Sequence, residues 1–240
     1  MRIAIVSDIH GNRTAFDAVL QDLRKTSPDV TFHGGDLADG GSSPLEIVDH
    51  VRDLGWRGVF GNSDEMLFRP GSLSDFARGA PQLRPMFDKI AEMANWTRQR
   101  LGEDRVAWLG ALPMVLDVMP LALVHANPST AWKAPGAEAT DDELEAAFAP
   151  LDRELVVYGH IHRSFVRRLG ERTVVNTGSV SLSHDGDPRA SYLVIDDGEA
   201  SIRRVEYDVQ RELKALEELK DYPHADWIAR ILAAARPQMP

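Results

Sequence analysis

The chain sets nitrogen and oxygen donors at the ends of β-forming runs. "RIAIVS" leads into Asp8 and His10, "VTFHGG" into Asp36, and "RGVFG" into Asn62. "LALV" leads into His125, and "ELVVYG" into His160 and His162. In an extended chain residues i and i+2 face the same side, so Asp8/His10 and His160/His162 can each act as a pair. Taken alone, each is ordinary: Asp-x-His at a strand end is a hydrogen-bonded turn, and "GGD" and "GN" are common turns. His-x-His alone is a modest metal candidate. Their joint occurrence at successive strand ends is what carries weight, because binding sites in open α/β sheets form beyond the carboxyl ends of the strands. Three or more imidazoles, two carboxylates and an amide oxygen suit Mn, Fe, Zn or Ni rather than the all-oxygen shell of Ca. Seven donors exceed the needs of one ion, and two ions sharing one carboxylate account for them. Such a pair, about 3.5–4 Å apart, clamps in-line displacement at phosphorus.

The elements that must position these donors follow from pattern. Residues 2–7 are β-branched and nearly continuously apolar, as in a strand buried on both faces. "TAFDAVLQDL" (14–23) has apolar residues at helical spacing, and "VTFHGGD" resumes a strand. "SPLEIVDHVRDLG" predicts a helix with Ser43 as N-cap, Pro44 at the first helical position and Gly55 as stop. "RGVFGN" reads as a third strand, so the first sixty residues are strand–helix–strand–helix–strand, the pattern of a parallel sheet. Segment 66–112 holds two helical stretches, "PMFDKIAEMANWTRQRL" and "DRVAWLGALP". Its Trp96, Trp108, Met86 and Met93 fall at helical spacing, as core residues do. Lying between two donor blocks, it is expected to cap the pocket and to carry substrate choice. "MVLDV" and "LALVH" read as strands joined at Met119–Pro120, and residues 141–148 as a helix capped by Thr140. Five further strands, "ELVVYG", "SFVRRLG", "TVVNTGS", "ASYLVID" and "ASIRRVEY", predict a more antiparallel second sheet. A C-terminal tail, 209–240, reads as one helix to Ala235, broken at Tyr222–Pro223. The expected class is α/β: one domain over 1–240, with two mixed sheets packed face to face and helices outside.

Composition bounds the function. A chain of 240 residues, 43% hydrophobic and 27% charged, can bury a large core. Its formal charge of −10 argues against an extended nucleic-acid surface. Without cysteine there is no disulfide framework, thiolate site or cysteine nucleophile. The apolar run at the N-terminus is too short for a signal or a membrane span. A cytoplasmic protein with no membrane association is expected.

"DIHGN", "GGDLAD", "GNSDE", "VHANP" and "GHIH" occur in the order found in the calcineurin-like metallophosphoesterase superfamily. The later "NTGSVSLSHDGDPRASYLVID" resembles its bacterial branch of small phosphodiesterases and diadenosine-polyphosphate-hydrolase-like proteins. The resemblance spans residues 1 to about 207. It implies an αββα sandwich with a dinuclear centre at the sheet edge. By this similarity Asp8, His10 and His162 would hold one metal, Asn62, His125 and His160 the other, and Asp36 would bridge both. The implied cofactors are two divalent transition metals, manganese favoured among Mn, Fe, Ni and Zn. The implied reaction is hydrolysis of a phosphate ester or anhydride by a hydroxide held between them. Many relatives carry Gly-Asn-His-Asp/Glu at the third block, and that histidine is thought to protonate the leaving oxygen. Here the position is Ser63, whose hydroxyl is too weakly acidic for the task.

Asp64 is therefore either a substitute acid, beside Asp36 and Asn62 in the catalytic set, or a residue that turns the chain. Around them, Asn12 and Arg13 could touch a phosphate at a helix start, with an N-cap role for Asn12 the alternative. His184 and Arg189 resemble a family segment near the site. Arg189 could steer an anion or make a structural ion pair. Asn176 and Ser179 are expected to fix the loop behind the metals, while His33, His50 and His224 read as structural or solvent-facing. The favoured substrate is a small phosphorylated molecule, such as a nucleotide, cleaved at a diester or pyrophosphate. A weakly catalytic metal-binding scaffold for a nucleotide or partner is the alternative, with protein phosphatase a third reading.

Overall fold

The computed structural model describes all 240 residues. The first sheet is built from β1 (Arg2–Val6), β2 (Val30–His33), β3 (Arg57–Gly58), β9 (Ala190–Asp196) and β10 (Glu199–Val205). Its order is β10-β9-β1-β2-β3, with β1, β2 and β3 parallel and β9 antiparallel to β1. The second holds β4 (Val115–Val118), β5 (Leu121–Val124), β6 (Leu155–Tyr158), β7 (Phe165–Leu169) and β8 (Arg172–Asn176), in the order β4-β5-β6-β8-β7. Here β5, β6 and β8 are parallel and the two edge strands antiparallel.

The sandwich follows from alternation along each strand. Ile3 and Ile5 of β1, Leu121 and Leu123 of β5, Leu155 and Val157 of β6, and Leu193 and Ile195 of β9 form the layer between the sheets. Their neighbours face outward. Ala4, Val6, Tyr192 and Val194 pack under helices α1 (Arg13–Thr26) and α2 (Pro44–Asp53). Ala122, Val124, Val156 and Tyr158 pack under α6 (Asp141–Phe148). Both faces of the central strands are thus covered, which is why they read as unbroken apolar runs.

Two expectations change. The "ASYLVID"/"ASIRRVEY" hairpin does not extend the second sheet; β9 joins the free edge of β1 in the first. The second sheet is accordingly mixed, with three parallel strands at its centre. The third strand is only two residues long, because Phe60 leaves β2 and donates its amide to the Pro113 carbonyl instead.

Segment 66–112 is helical, as expected, in α3 (Asn62–Phe68), α4 (Gly71–Ala77) and α5 (Arg84–Gly110), with a short 3-10 turn at Pro81–Leu83. Gly102, at φ 72° and ψ 171°, divides α5 where the sequence separates its two stretches. The tail forms α7 (Val209–Glu218) and α8 (Ala225–Ala234), which cover Met93 and Leu182. No helix is long and apolar enough to cross a membrane.

Candidate metal centre

The loops leaving β1 and β2 run side by side beyond the sheet. Asp8 N donates to Gly35 O, His10 N to Asp36 O and Gly11 N to Leu37 O, at 2.8–3.0 Å. In the second sheet Gly159 N donates to His125 O at 2.9 Å. The two sheets are tied at this edge by the His160 amide, which donates to the Asp8 carboxylate at 3.2 Å. Close approach explains two glycines. A Cβ on Gly61 would lie 2.0 Å from Asp36 Oδ1, and one on Gly159 would lie 2.4 Å from Asp8 Oδ2.

All seven predicted donors meet there. Asp8, His10, Asp36 and His162 are buried, with one ligand atom from each lying within 4.8 Å of the others. His162 Nε2 is 3.1 Å from Asp8 Oδ1, and His10 Nε2 is 3.5 Å from Asp36 Oδ2. On the other side of Asp36, His125 Nε2 stands 3.4 Å from the same Oδ2. Asn62 Oδ1 faces His125 Nε2 at 3.1 Å and His160 Nδ1 at 2.8 Å. Asp36 therefore sits between a cluster of Asp8, His10 and His162 and a cluster of Asn62, His125 and His160. Its second oxygen, Oδ1, accepts the Ser63 amide at 2.8 Å, which leaves Oδ2 turned to both sides.

The donor set fits cations on chemical grounds. Nδ1 of His10, His125 and His162 donates to the carbonyls of Asp39, Gly34 and Leu182, at 2.6, 2.8 and 2.5 Å. A ring held that way presents its lone pair on Nε2. The Nε2 atoms of His10 and His162 then face each other at 3.2 Å. Two lone pairs at that distance repel unless a proton or a cation stands between them. The same demand appears in the ionisation of the cluster. Burial opposes charge on His125, but the Asp36 carboxylate outweighs it and lifts the imidazole to about 10. Burial likewise opposes charge on Asp8, and His162 overcomes it, so the carboxyl falls and the imidazole rises. Burial, assisted by the charge of His125, takes His160 down to about 4. The carboxylates thus hold positive charge in place, the charge that divalent cations supply in exchange for protons.

The other candidates divide. Asn12 is fully buried and spent within the protein: Oδ1 accepts the Ala15 amide as the cap of α1, and Nδ2 donates to Ser181 Oγ. Arg13 is exposed beside Asp17, one turn along, and Arg189 is paired with Asp187. Neither arginine reaches the donor cluster. Asp64 is fully buried, and its oxygens accept the amides of Asp36, Leu37 and Gly61 at 2.8–3.0 Å. Burial, with the charge of Asp36, lifts its carboxyl to about 7 against those donors. With no oxygen free to meet a substrate, Asp64 holds the β2 and β3 loops together, and the substitute-acid role has no geometry behind it. Ser63 Oγ is buried and without a hydrogen-bond partner. His184 does stand at the centre, its ring 4.6 Å from that of His162. Asn176 and Ser179 brace the loops as expected, bonding Gly159 O and Asp8 O.

Supporting groups that the sequence reading passed over lie inside its motifs. Ser7 Oγ donates to Asp8 Oδ2 at 2.6 Å. Asp39, which orients His10 through its carbonyl, is itself held by Thr97 Oγ1 of α5 at 2.5 Å. Spacing within "GGDLAD" could have drawn attention to Asp39; nothing local ties Thr97 to it.

Across known proteins, the model of the calcineurin-like phosphoesterase superfamily domain matches residues 1–199. The chain belongs to the calcineurin-like phosphoesterase superfamily. A metallophosphoesterase from Sphaerobacter thermophilus is 26% identical, with a TM-score of 0.80 over 98% of this chain and 100% of that one. A Methanocaldococcus jannaschii protein is 28% identical across 98% of each chain. The symmetrical bis(5'-nucleosyl)-tetraphosphatase of Cronobacter sakazakii is 29% identical over 62% of this chain, a match that spans about half, 51%, of its own length. As a calcineurin-like phosphoesterase with a buried Asp/His cluster, the chain has the make-up of a metal-dependent phosphoester hydrolase.

Proposed function

We propose that this phosphoesterase hydrolyses phosphodiesters with good leaving groups, or the anhydride bonds of nucleotides, using two divalent transition-metal ions, manganese foremost. The observation that carries the reading is the convergence of seven donors on either side of Asp36, with Ser63 where a proton-donating histidine would stand. Asp8, His10 and His162 would hold one ion, Asn62, His125 and His160 the other, and Asp36 would touch both. When bound, such ions lower the pKa of water and neutralise charge gathering on the phosphoryl oxygens.

The chain's own part is orientation and protonation. Backbone carbonyls lock the rings of His10, His125 and His162, and the Ser63 amide fixes Asp36. Position 63 offers no proton to the leaving oxygen. General-acid help is worth about 10²–10⁴-fold, so alkyl leaving groups lose most and phenols or pyrophosphates least. The name of the similar Cronobacter tetraphosphatase favours the anhydride side of this pair. Helical segment 66–112 would act as the cap that selects among such substrates.

The test is a panel of bis-p-nitrophenyl phosphate, p-nitrophenyl phosphate, dinucleoside polyphosphates, cyclic nucleotides and a phosphoserine peptide, assayed with Mn²⁺. A diester or anhydride should turn over about 100-fold faster than the peptide; equal rates would reject the reading. Metal analysis should find close to two ions per chain, and Asp36→Ala should lose both ions and hydrolysis.

A further inference from the structure

A surface cavity of about 600 Å³ opens beside His184, walled by Arg163, Ser164, Asp185 and Arg236 among others. It is built onto the donor cluster. The His184 amide donates to the carbonyl of His162 at 3.0 Å, and the two rings lie 4.6 Å apart. Arg163 follows His162 directly, and its Nε donates to the His184 carbonyl at 3.0 Å. Its Nη1 is left with Glu138 at 3.8 Å, a carboxylate that is 92% exposed. The far wall comes from the tail. The Gly186 amide donates to Ala235 O at 2.9 Å, which sets the end of α8 against this loop and brings the Arg236 guanidinium over Gly186. Arg236 makes no ion pair, in a chain whose formal charge is −10. Two acids line the cavity: Glu138, the exposed partner of Arg163, and Asp185, which is already held by Arg204 and Ser183.

We propose that this cavity binds the phosphate groups of the substrate that lie beyond the scissile phosphorus, with Arg163 and Arg236 as the anion contacts and His184 as the wall toward the donor cluster. The inference deepens the function proposed above and rests on it: among diesters and anhydrides, it selects polyphosphate-bridged nucleotides. Guanidinium groups suit this because their planar forks pair with phosphate oxygens. A diester with uncharged leaving groups has nothing to place there.

The experiment uses the full-length Mn²⁺-loaded protein with diadenosine tetraphosphate and bis-p-nitrophenyl phosphate. Arg163→Ala and Arg236→Ala should each lower the tetraphosphate-to-diester ratio of kcat/KM about tenfold, through KM of the tetraphosphate, and Arg236→Lys should restore most of it. An unchanged ratio in both alanine variants overturns the proposal while leaving the diesterase reading standing. Tripolyphosphate binding by calorimetry separates the two ideas if neither substrate is hydrolysed. Binding that weakens in the Arg163→Ala/Arg236→Ala double variant supports the cavity even then; binding that is absent or indifferent to both arginines rejects it.

Discussion

Five of the seven donor residues, Asp8, His10, Asp36, His160 and His162, hold left-handed backbone, with φ between 47° and 67°. For residues with a Cβ this conformation costs about 1–2 kcal/mol, so it persists only where the surroundings fix it. Carbonyl acceptors, the Asp64 amide bonds and the paired loops do that here. His33 shows what burial does without such partners. Neither of its ring nitrogens is hydrogen-bonded, and burial pulls the imidazole down to about 4. The unfolded imidazole titrates near 6.5, so between pH 6.5 and 4 the unfolded chain takes up a proton that the folded chain refuses. Stability is therefore complete above that window and falls as pH drops through it. At pH 5 the loss from His33 is about 2 kcal/mol. Urea titrations of wild type and His33→Leu at pH 7.5 and 5.0 check this. The difference between the two pH values should shrink by about that amount in the variant, and an equal difference would clear His33 of the effect.

At the scale of elements, local pattern is read best where strands and the helices that join them follow one another closely along the chain. β1, β2 and the helices between them carry their own periods, caps and breaks, so they and the donors at their ends are legible. The β9–β10 hairpin has equally clear strand character, yet nothing in it says which sheet edge it meets. The partner is β1, nearly 190 residues earlier, and the choice depends on which apolar faces remain to be covered. Asn12 is a second case: one side chain could serve a phosphate or a cap, and only its burial against Ala15 and Ser181 decides. Loss of the cap and of the Ser181 contact should make Asn12→Ala less stable by about 1–2 kcal/mol. Asn12→Asp should keep most of the capping, and denaturant midpoints of the pair will separate the two contributions.

Across the whole molecule, the chain's last third closes on its first. β9 completes the sheet that β1 begins, and α7 and α8 cover α5, whose Thr97 holds Asp39 behind His10. The point of attachment is polar. Glu212 of α7 is fully buried; Oε2 accepts the Thr14 hydroxyl at 2.7 Å and Oε1 the Ser42 hydroxyl at 2.7 Å. Thr14 lies in the first turn of α1, just after the Asp8/His10 loop, and Ser42 follows the loop that carries Asp36 and Asp39. One carboxylate thus fastens the tail to two of the three donor-bearing loops of the first sheet. In Glu212→Ala the Thr14 and Ser42 hydroxyls lose their acceptor and the carboxylate's volume is left empty, and a buried donor without its acceptor costs about 1–3 kcal/mol. The variant should unfold at lower urea by about 2–4 kcal/mol in total. Because the tail also delivers Arg236, amide hydrogen exchange should rise in α7 and α8 before it rises in β1 or β6. Glu212→Gln keeps one acceptor oxygen and the volume, so it should lie between wild type and alanine. Protection of the tail unchanged in Glu212→Ala would mean that apolar contacts with Met93 and Leu182 suffice to hold it.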